Sequence, residues 1–257
     1  MIDFTGPVAV LSDVHGNLEA LDAVLTDIRN TGVLDIVNLG DCVGYGPNPC
    51  ECIDLLQASC RINLRGNHDY ATLYRSDNFN PAAQAAILFV RQQLQPADNA
   101  DAARRRWLFL QQLLPMYENA DFEFMHGSPR RPITEYILPS DPLCDPFKID
   151  DIFAAMGHRY AFVGHTHYAG VIEEHQESFV RPDELQGKYR LTEKRAIINV
   201  GSVGQPRDSD RRAAYVVIHR HQVEWRRVPY KVADTVAKIE AQNLLDDQLA
   251  RRLLVGQ

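Results

Sequence analysis

Five short, largely apolar runs punctuate the first two thirds of the chain: Val8 to Leu11, Ile36 to Leu39, Ile62 to Leu64, Phe122 to Met125 and Tyr160 to Val163. Each is too short for a helix, is rich in Val, Ile, Leu or Phe, and stops at Gly, Asp or His, which is the pattern of strands buried on both faces of a sheet. Between the first runs the period changes. Leu18, Leu21, Val24, Leu25 and Ile28 fall close to a 3.6-residue stripe, with Asn17 placed to cap the start and Gly32 to stop it. Asn48 followed by Pro49 opens a second helix carrying Cys52, Leu55 and Leu56. Strand, helix and strand in alternation predict an α/β fold with a parallel sheet.

The rhythm breaks over residues 70 to 115. That stretch has no good strand but two helical segments, AAQAAILFVRQQL after Asn80-Pro81 and AARRRWLFLQQLL before Pro115, and reads as a helical insert or cap. It either packs on the sheet or shapes a pocket. Arg104, Arg105 and Arg106 on its second helix read as a solvated face. After residue 167 the segments YAGVIEE, KYRLT, AIINVG and AAYVVIHRHQVEWRRV alternate with Gly, Pro and Asp turns and predict a second, largely antiparallel sheet. VADTVAKIEAQNLLDDQLARRLL predicts one closing helix. No repeat or low-complexity tract interrupts the chain, and residues 1–257 read as a single domain.

With 27 basic against 34 acidic residues, the net charge of -7 argues against a nucleic-acid partner, which calls for a basic excess. The five cysteines form no CxxC pair and no zinc spacing with histidine, so they read as reduced thiols. No apolar run approaches the ~18 residues that span a bilayer, and the first residues lack a basic leader with an apolar stretch. The expected location is the cytoplasm, with no membrane partner.

The residues just past the apolar runs carry the chemistry. SDVHGN, GDCVG, GNHD, MHGS and GHTH occur in that order, each at an expected strand end, where open α/β sheets bind ligands. Asp13, His15, Asp41, Asn67, His126, His165 and His167 supply four imidazole nitrogens and several oxygens, a donor set suited to two divalent first-row ions. Singly each motif is weak. With 9 histidines in 257 residues an H-x-H pair arises by chance ~0.3 times per chain. His219 and His221 are such a pair, within an expected strand and without a neighbouring carboxylate or glycine turn. Each Asp or Asn alone also makes a good turn or cap residue. The conjunction at successive strand ends is what points to a metal-dependent phosphoester hydrolase.

D-x-H, G-D, G-N-H-D, H-G and G-H-x-H in this order resemble the calcineurin-like metallophosphoesterase superfamily, and most of all its compact bacterial diadenosine tetraphosphatase-like and YfcE-like branch. The resemblance spans about residues 8 to 208 and includes INVGSVGQPRD. It implies a four-layer αββα sandwich, two packed sheets with helices outside. It also implies that Asp13, His15, Asp41 and His167 hold one ion and that Asp41, Asn67, His126 and His165 hold the other, with Asp41 bridging through its two oxygens. The cofactors would then be two divalent ions, Mn²⁺ first, with Fe, Zn, Co or Ni as alternatives. A hydroxide bridging them would attack a phosphate ester or anhydride, on a small nucleotide-like substrate. No P-loop and no G-x-S-x-G elbow suggests a different nucleophile.

The same resemblance makes His68 the catalytic residue, contacting the phosphoryl oxygen and donating a proton to the leaving group. The superfamily's protein phosphatases continue the second motif as GDxVDRG, whose later Asp orients that histidine. Here the motif continues as CVGYGPN, which argues against a phosphoprotein phosphatase and leaves His68 without an evident orienting partner. Arg130 and Arg207 are candidates to bind substrate phosphate, ahead of Arg65 and Arg131. Tyr45 and Tyr136 could stack a base, though ordinary packing is the simpler role. The remaining alternatives are a phosphodiesterase of the same superfamily and a non-catalytic scaffold on this fold.

Overall fold

The computed structural model describes residue 4 and residues 6–75, 79–95 and 99–257. The first part of the chain forms β1 (Val8–Leu11), α1 (Leu18–Thr31), β2 (Asp35–Asn38), α2 (Pro49–Ser59), β3 (Ile62–Asn63) and α3 (Asn67–Leu73). Then come α4 (Pro81–Gln93), α5 (Ala100–Gln112), β4 (Met116–Glu118), β5 (Phe122–Met125), α6 (Asp141–Cys144), α7 (Pro146–Ala155) and β6 (Tyr160–Val163). The last third contributes β7 (Gly170–Glu173), β8 (Lys188–Arg190), β9 (Ala196–Asn199), β10 (Ala213–His219), β11 (Gln222–Val228), α8 (Val232–Glu240) and α9 (Asp247–Val255).

Two sheets result. One is ordered β3, β2, β1, β10, β11, β8, and the other β4, β5, β6, β9, β7. In the first, β1, β2 and β3 run parallel; in the second, β5, β6 and β9 do. The alternation within β1 shows how the layers are built. Val8 and Val10 point into the core between the sheets with Phe124 and Phe162, whereas Ala9 and Leu11 face the helices with Leu21, Leu25 and Ile28. The outer face of the second sheet, through Met125, Ala161 and Val163, receives Ile149, Ile152 and Phe153 of α7. This is the αββα sandwich.

The helix signals at the start of α1 act as read. Asn17 Oδ1 accepts the Ala20 backbone N–H, and Gly32 closes the helix with φ 74°. At α2 the proline takes the first turn, but the Asn48 side chain accepts from Lys238 Nζ at 3.1 Å instead of capping. Helices α4 and α5 send Val90, Leu94, Phe109 and Leu110 into the same apolar layer as α1 and α2. Arg106 forks onto Asp54 of α2 at 3.0 and 2.6 Å, on the solvated side.

Three expectations need correction. The C-terminal strands do not make a sheet of their own: β10, β11 and β8 extend the first sheet, and β9 and β7 extend the second. The closing helix is two helices, because Asp246 caps a new start by accepting from Gln248 N, which lets Leu249 and Leu253 pack with Ile239 and Phe89. His219 ends β10, and Arg220 with His221 forms the hairpin turn, so the two histidines do not alternate along one strand. Among the described residues, no helix is long and apolar enough to cross a membrane.

Candidate metal centre

Asp13 and His15 follow β1, Asp41 follows β2 and Asn67 lies past β3; His126 follows β5, and His165 and His167 follow β6. Four of the seven therefore come from one sheet and three from the other, at the carboxyl ends of parallel strands in both. All seven are buried, none more than 8% exposed.

Their donor atoms converge in two groups. Asp13 Oδ1 lies 3.2 Å from His167 Nε2 and 3.7 Å from His15 Nε2, and those two nitrogens are 3.1 Å apart. His126 Nε2 lies 3.0 Å from Asn67 Oδ1 and 3.1 Å from His165 Nδ1. Asp41 Oδ2 stands between the groups, 3.6 Å from His15 Nε2 and 3.4 Å from His126 Nε2. Donors ~2.1 Å from a common ion are about 3 to 3.5 Å apart, which is this spacing. The other oxygen of Asp41 accepts the His68 backbone N–H at 2.8 Å. One oxygen, not two, faces both groups.

The backbone is bent to make this convergence. Asp13, His15, Asp41, His165 and His167 all have left-handed conformations, with φ from 49° to 68°. Such backbone costs a non-glycine residue roughly 1–3 kcal/mol, is least unfavourable for Asp, Asn and His, and gathers at functional sites. Ring orientation is fixed from behind. His167 Nδ1 meets the Gln205 carbonyl at 2.5 Å and His165 Nε2 meets the Thr134 carbonyl at 3.3 Å, so the remaining nitrogen of each ring turns its lone pair inward.

The electrostatics ask for a cation. Among the described residues, Asp13 Oδ1 is buried without a hydrogen-bond partner. Burial pushes the Asp13 and Asp41 carboxyls up, but the surrounding imidazoles outweigh it and hold both below the usual carboxylate range. Burial pushes His15 and His167 down and takes His165 to about 3, which keeps their lone pairs free. His126 goes the other way. Burial opposes its proton, yet Asp41 and Asp13 raise it to about 9, so a proton there supplies the positive charge the carboxylates require. Imidazole, carboxylate and amide oxygen together fit divalent first-row ions.

The calcineurin-like phosphoesterase model matches residues 6–169, a span that holds all seven of these side chains. The chain belongs to the calcineurin-like phosphoesterase family. An uncharacterized protein of Methanocaldococcus jannaschii is 37% identical over 260 residues, 97% of this chain and 98% of its own. The crystal structure of a metallophosphoesterase from Sphaerobacter thermophilus is 36% identical and superposes with a TM-score of 0.81 over 98% of this chain and 100% of that one. A hypothetical protein from Pyrococcus horikoshii shares the fold at 18% identity, with a TM-score of 0.73 over 98% of both chains.

Beside this phosphoesterase-family centre, the His68 ring makes no hydrogen bond or ion pair with a carboxylate among the described residues, although Asp41 stands nearby. Its Nδ1 is buried and unpaired, and its ring is held edge-on by Tyr45, His15 and Phe79, with centroids at 4.6, 4.8 and 5.0 Å. Among the described residues, an aromatic cage rather than an Asp holds the ring. Burial pushes its imidazole down to about 4, with Asp41 opposing.

The candidate arginines separate. Arg207 lies over the Tyr45 ring at 5.8 Å and donates to Gln205 Oε1 at 2.8 Å, at the edge of the centre. Arg130 is exposed and forks onto Glu135 and Asp151 at 2.5 and 3.1 Å. Arg65 donates to the Gln111 carbonyl at 2.8 Å, away from the seven. Tyr136 stacks flat on His165 at 3.7 Å, with its ring about half exposed.

Sequence reasoning missed the residues that hold the loops. Asp69 accepts from Cys42 N and Gly66 N, both at 3.0 Å, and so staples the loop carrying Asp41 to the start of α3. Its position as the last letter of GNHD was the available signal. Asn199 donates to the Gly164 carbonyl and to Thr166 Oγ1, both at 2.8 Å, bracing the turn of His165 and His167.

Proposed function

We propose that this protein is a dinuclear-metal phosphoesterase that hydrolyses a phosphate ester or anhydride of a small, nucleotide-like molecule. The observation that carries this is Asp41 Oδ2, a single carboxylate oxygen facing His15 Nε2 at 3.6 Å and His126 Nε2 at 3.4 Å. Asp13, His15, Asp41 and His167 would hold one ion, and Asp41, Asn67, His126 and His165 the other. When bound, such a pair supplies Lewis-acid charge for the phosphoryl oxygens and makes water nucleophilic near neutral pH. Mn²⁺ is the proposed metal, with Fe, Zn, Co or Ni as alternatives, since affinity order alone does not choose among them.

The protein's own groups do the rest. His68, fixed by its ring contacts, faces the centre and serves the phosphoryl or leaving oxygen as hydrogen-bond or proton donor once substrate phosphate raises its basicity. Arg207 offers its guanidinium at the rim for a further phosphate oxygen. The existing pairs of Arg130 leave it a smaller part. The strained, desolvated donor set argues against a scaffold, which has no use for an unpaired buried carboxylate oxygen.

Chelator-treated protein is expected to take up two Mn²⁺ per chain by calorimetry and elemental analysis, and to gain hydrolysis of p-nitrophenyl phosphate in parallel. No uptake at all would end the proposal. A second expectation concerns Gly44, whose φ is 146° and whose added Cβ would meet His15 Nδ1 at 2.4 Å and His68 Nδ1 at 3.0 Å. Gly44→Ala should displace both rings and weaken Mn²⁺ binding ~10- to 100-fold, the range seen when support behind metal ligands is lost. Unchanged affinity would show that the loop yields without disturbing the donors.

A further inference from the structure

A cavity of about 950 Å³ opens at the edge of the centre, with walls that include Tyr168, Phe179, Arg181, Arg207, Arg251 and Arg252. It begins directly beside the ligand turn: Tyr168 follows His167 in the chain, and Arg207 N donates to the His167 carbonyl at 3.3 Å. Helix α9 forms one wall. Its Leu249 and Leu253 back a narrow cleft with His15 and Tyr45, while Arg251 and Arg252 line the larger space. The end of α9 is pinned to the opposite wall, since Ser209 N donates to the Gly256 carbonyl at 2.9 Å.

The charge of this cavity runs against that of the chain, whose net charge is -7. Asp208 also lines it, but both its oxygens are held by Arg227, and Arg181 is held by Asp183 at 3.1 and 3.0 Å. The Arg207 side chain meets the neutral Gln205 and Tyr45 side chains, and neither it nor Arg251 or Arg252 has a carboxylate partner among the described residues. Three arginines therefore face one space without an ion pair among the described residues. Guanidinium forks of this kind match phosphate. The volume is that of a ligand larger than one phosphate, and Tyr168 and Phe179 give it apolar surface.

We propose that this cavity holds the leaving group of the reaction, and that the leaving group is itself a phosphate-bearing nucleotide, so that the substrate is a phosphoanhydride such as a nucleoside diphosphate. This rests on the phosphoesterase reading and names its substrate class. The terminal phosphorus gains an oxygen from water and its bond to the bridging oxygen breaks. The bridging oxygen departs on the nucleoside monophosphate, and the proton lost by water goes to that oxygen or to solvent. Arg207, Arg251 and Arg252 bind the phosphate that stays on the nucleoside.

The test separates the cavity from the metal centre. AMP is titrated calorimetrically into chelator-treated wild type, Arg251→Ala/Arg252→Ala, the exposed single variant Arg251→Glu, and His126→Ala. Wild type and His126→Ala are expected to bind alike, and both arginine variants about tenfold or more weakly, as loss of charge-assisted hydrogen bonds implies. With Mn²⁺, the arginine variants should show a KM for ADP raised about tenfold or more and unchanged turnover of p-nitrophenyl phosphate, which has no second phosphate. AMP binding that is absent, or equal in the arginine variants, overturns the proposal, as does an equal loss on both substrates. Wild type inert to p-nitrophenyl phosphate at every metal load would instead bring down the phosphoesterase reading, whatever AMP does.

Discussion

Asp41→Asn is expected to yield a folded protein that binds one Mn²⁺ per chain instead of two and has lost at least ~10³-fold in kcat, the equivalent of several kcal/mol of transition-state stabilisation. The substitution is nearly isosteric, and the division of labour between the two oxygens makes it informative. Oδ1 accepts the His68 backbone N–H, a bond the asparagine carbonyl keeps, so the turn before α3 stays in place. Oδ2, which faces His15 and His126, becomes an NH₂ group with no lone pair for a cation. Loss of the carboxylate also removes the largest influence raising the His126 imidazole, so that ring should become a weaker base in the metal-free variant. Elemental analysis, an imidazole titration followed by NMR and turnover of p-nitrophenyl phosphate check the three parts. Full activity with two ions per chain would mean that the shared oxygen is not a ligand.

His68→Asn is expected to lower kcat by about 10²- to 10⁴-fold, the usual contribution of a positioned proton donor. The loss should be smaller for p-nitrophenyl phosphate, whose phenolate departs readily, than for an alkyl phosphate. The role sets the sign of the pH effect. A donor works while protonated, so wild-type kcat should fall as pH rises through the His68 value in the substrate complex, and this limb should be missing in the variant. In the protein without substrate, burial holds that value down at about 4, so the phosphoryl dianion must raise it before the group can act. An equal loss across leaving groups, with the alkaline limb retained, would assign His68 to phosphate binding alone.

The candidate site was legible because each proposed donor sits just past an apolar run, and the sequence marks that boundary with a change of residue type. Val8 to Leu11 ends and Asp13 comes two residues later; Tyr160 to Val163 ends and His165 does the same. Strand partners were not legible in the same way. Val216 and Ile218 of β10 lie beside Val10 and Val8, so the first sheet is completed from the far end of the chain by residues as apolar as any other candidate. The three residues of β4 are too few to show a period. The supports behind His165 and His167 were hidden for a different reason. They are the backbone carbonyls of Thr134 and Gln205, and a carbonyl leaves no trace in residue identity. Likewise, the departure of the second motif from GDxVDRG was visible, but the packing of Tyr45 and Phe79 against His68 depended on where two loops come to rest.

Donors from both sheets meet at one seam, with Asp13, His15, Asp41 and Asn67 on one side and His126, His165 and His167 on the other. A cation held there would act as a rivet through two plates: it could be seated only with the plates closed, and it would then add its binding free energy to their closure. Any slackening deep in the sandwich, for instance where the Phe124 and Phe162 rings stack at 5.2 Å, would then reach the chemistry as a misaligned hole without touching a single donor.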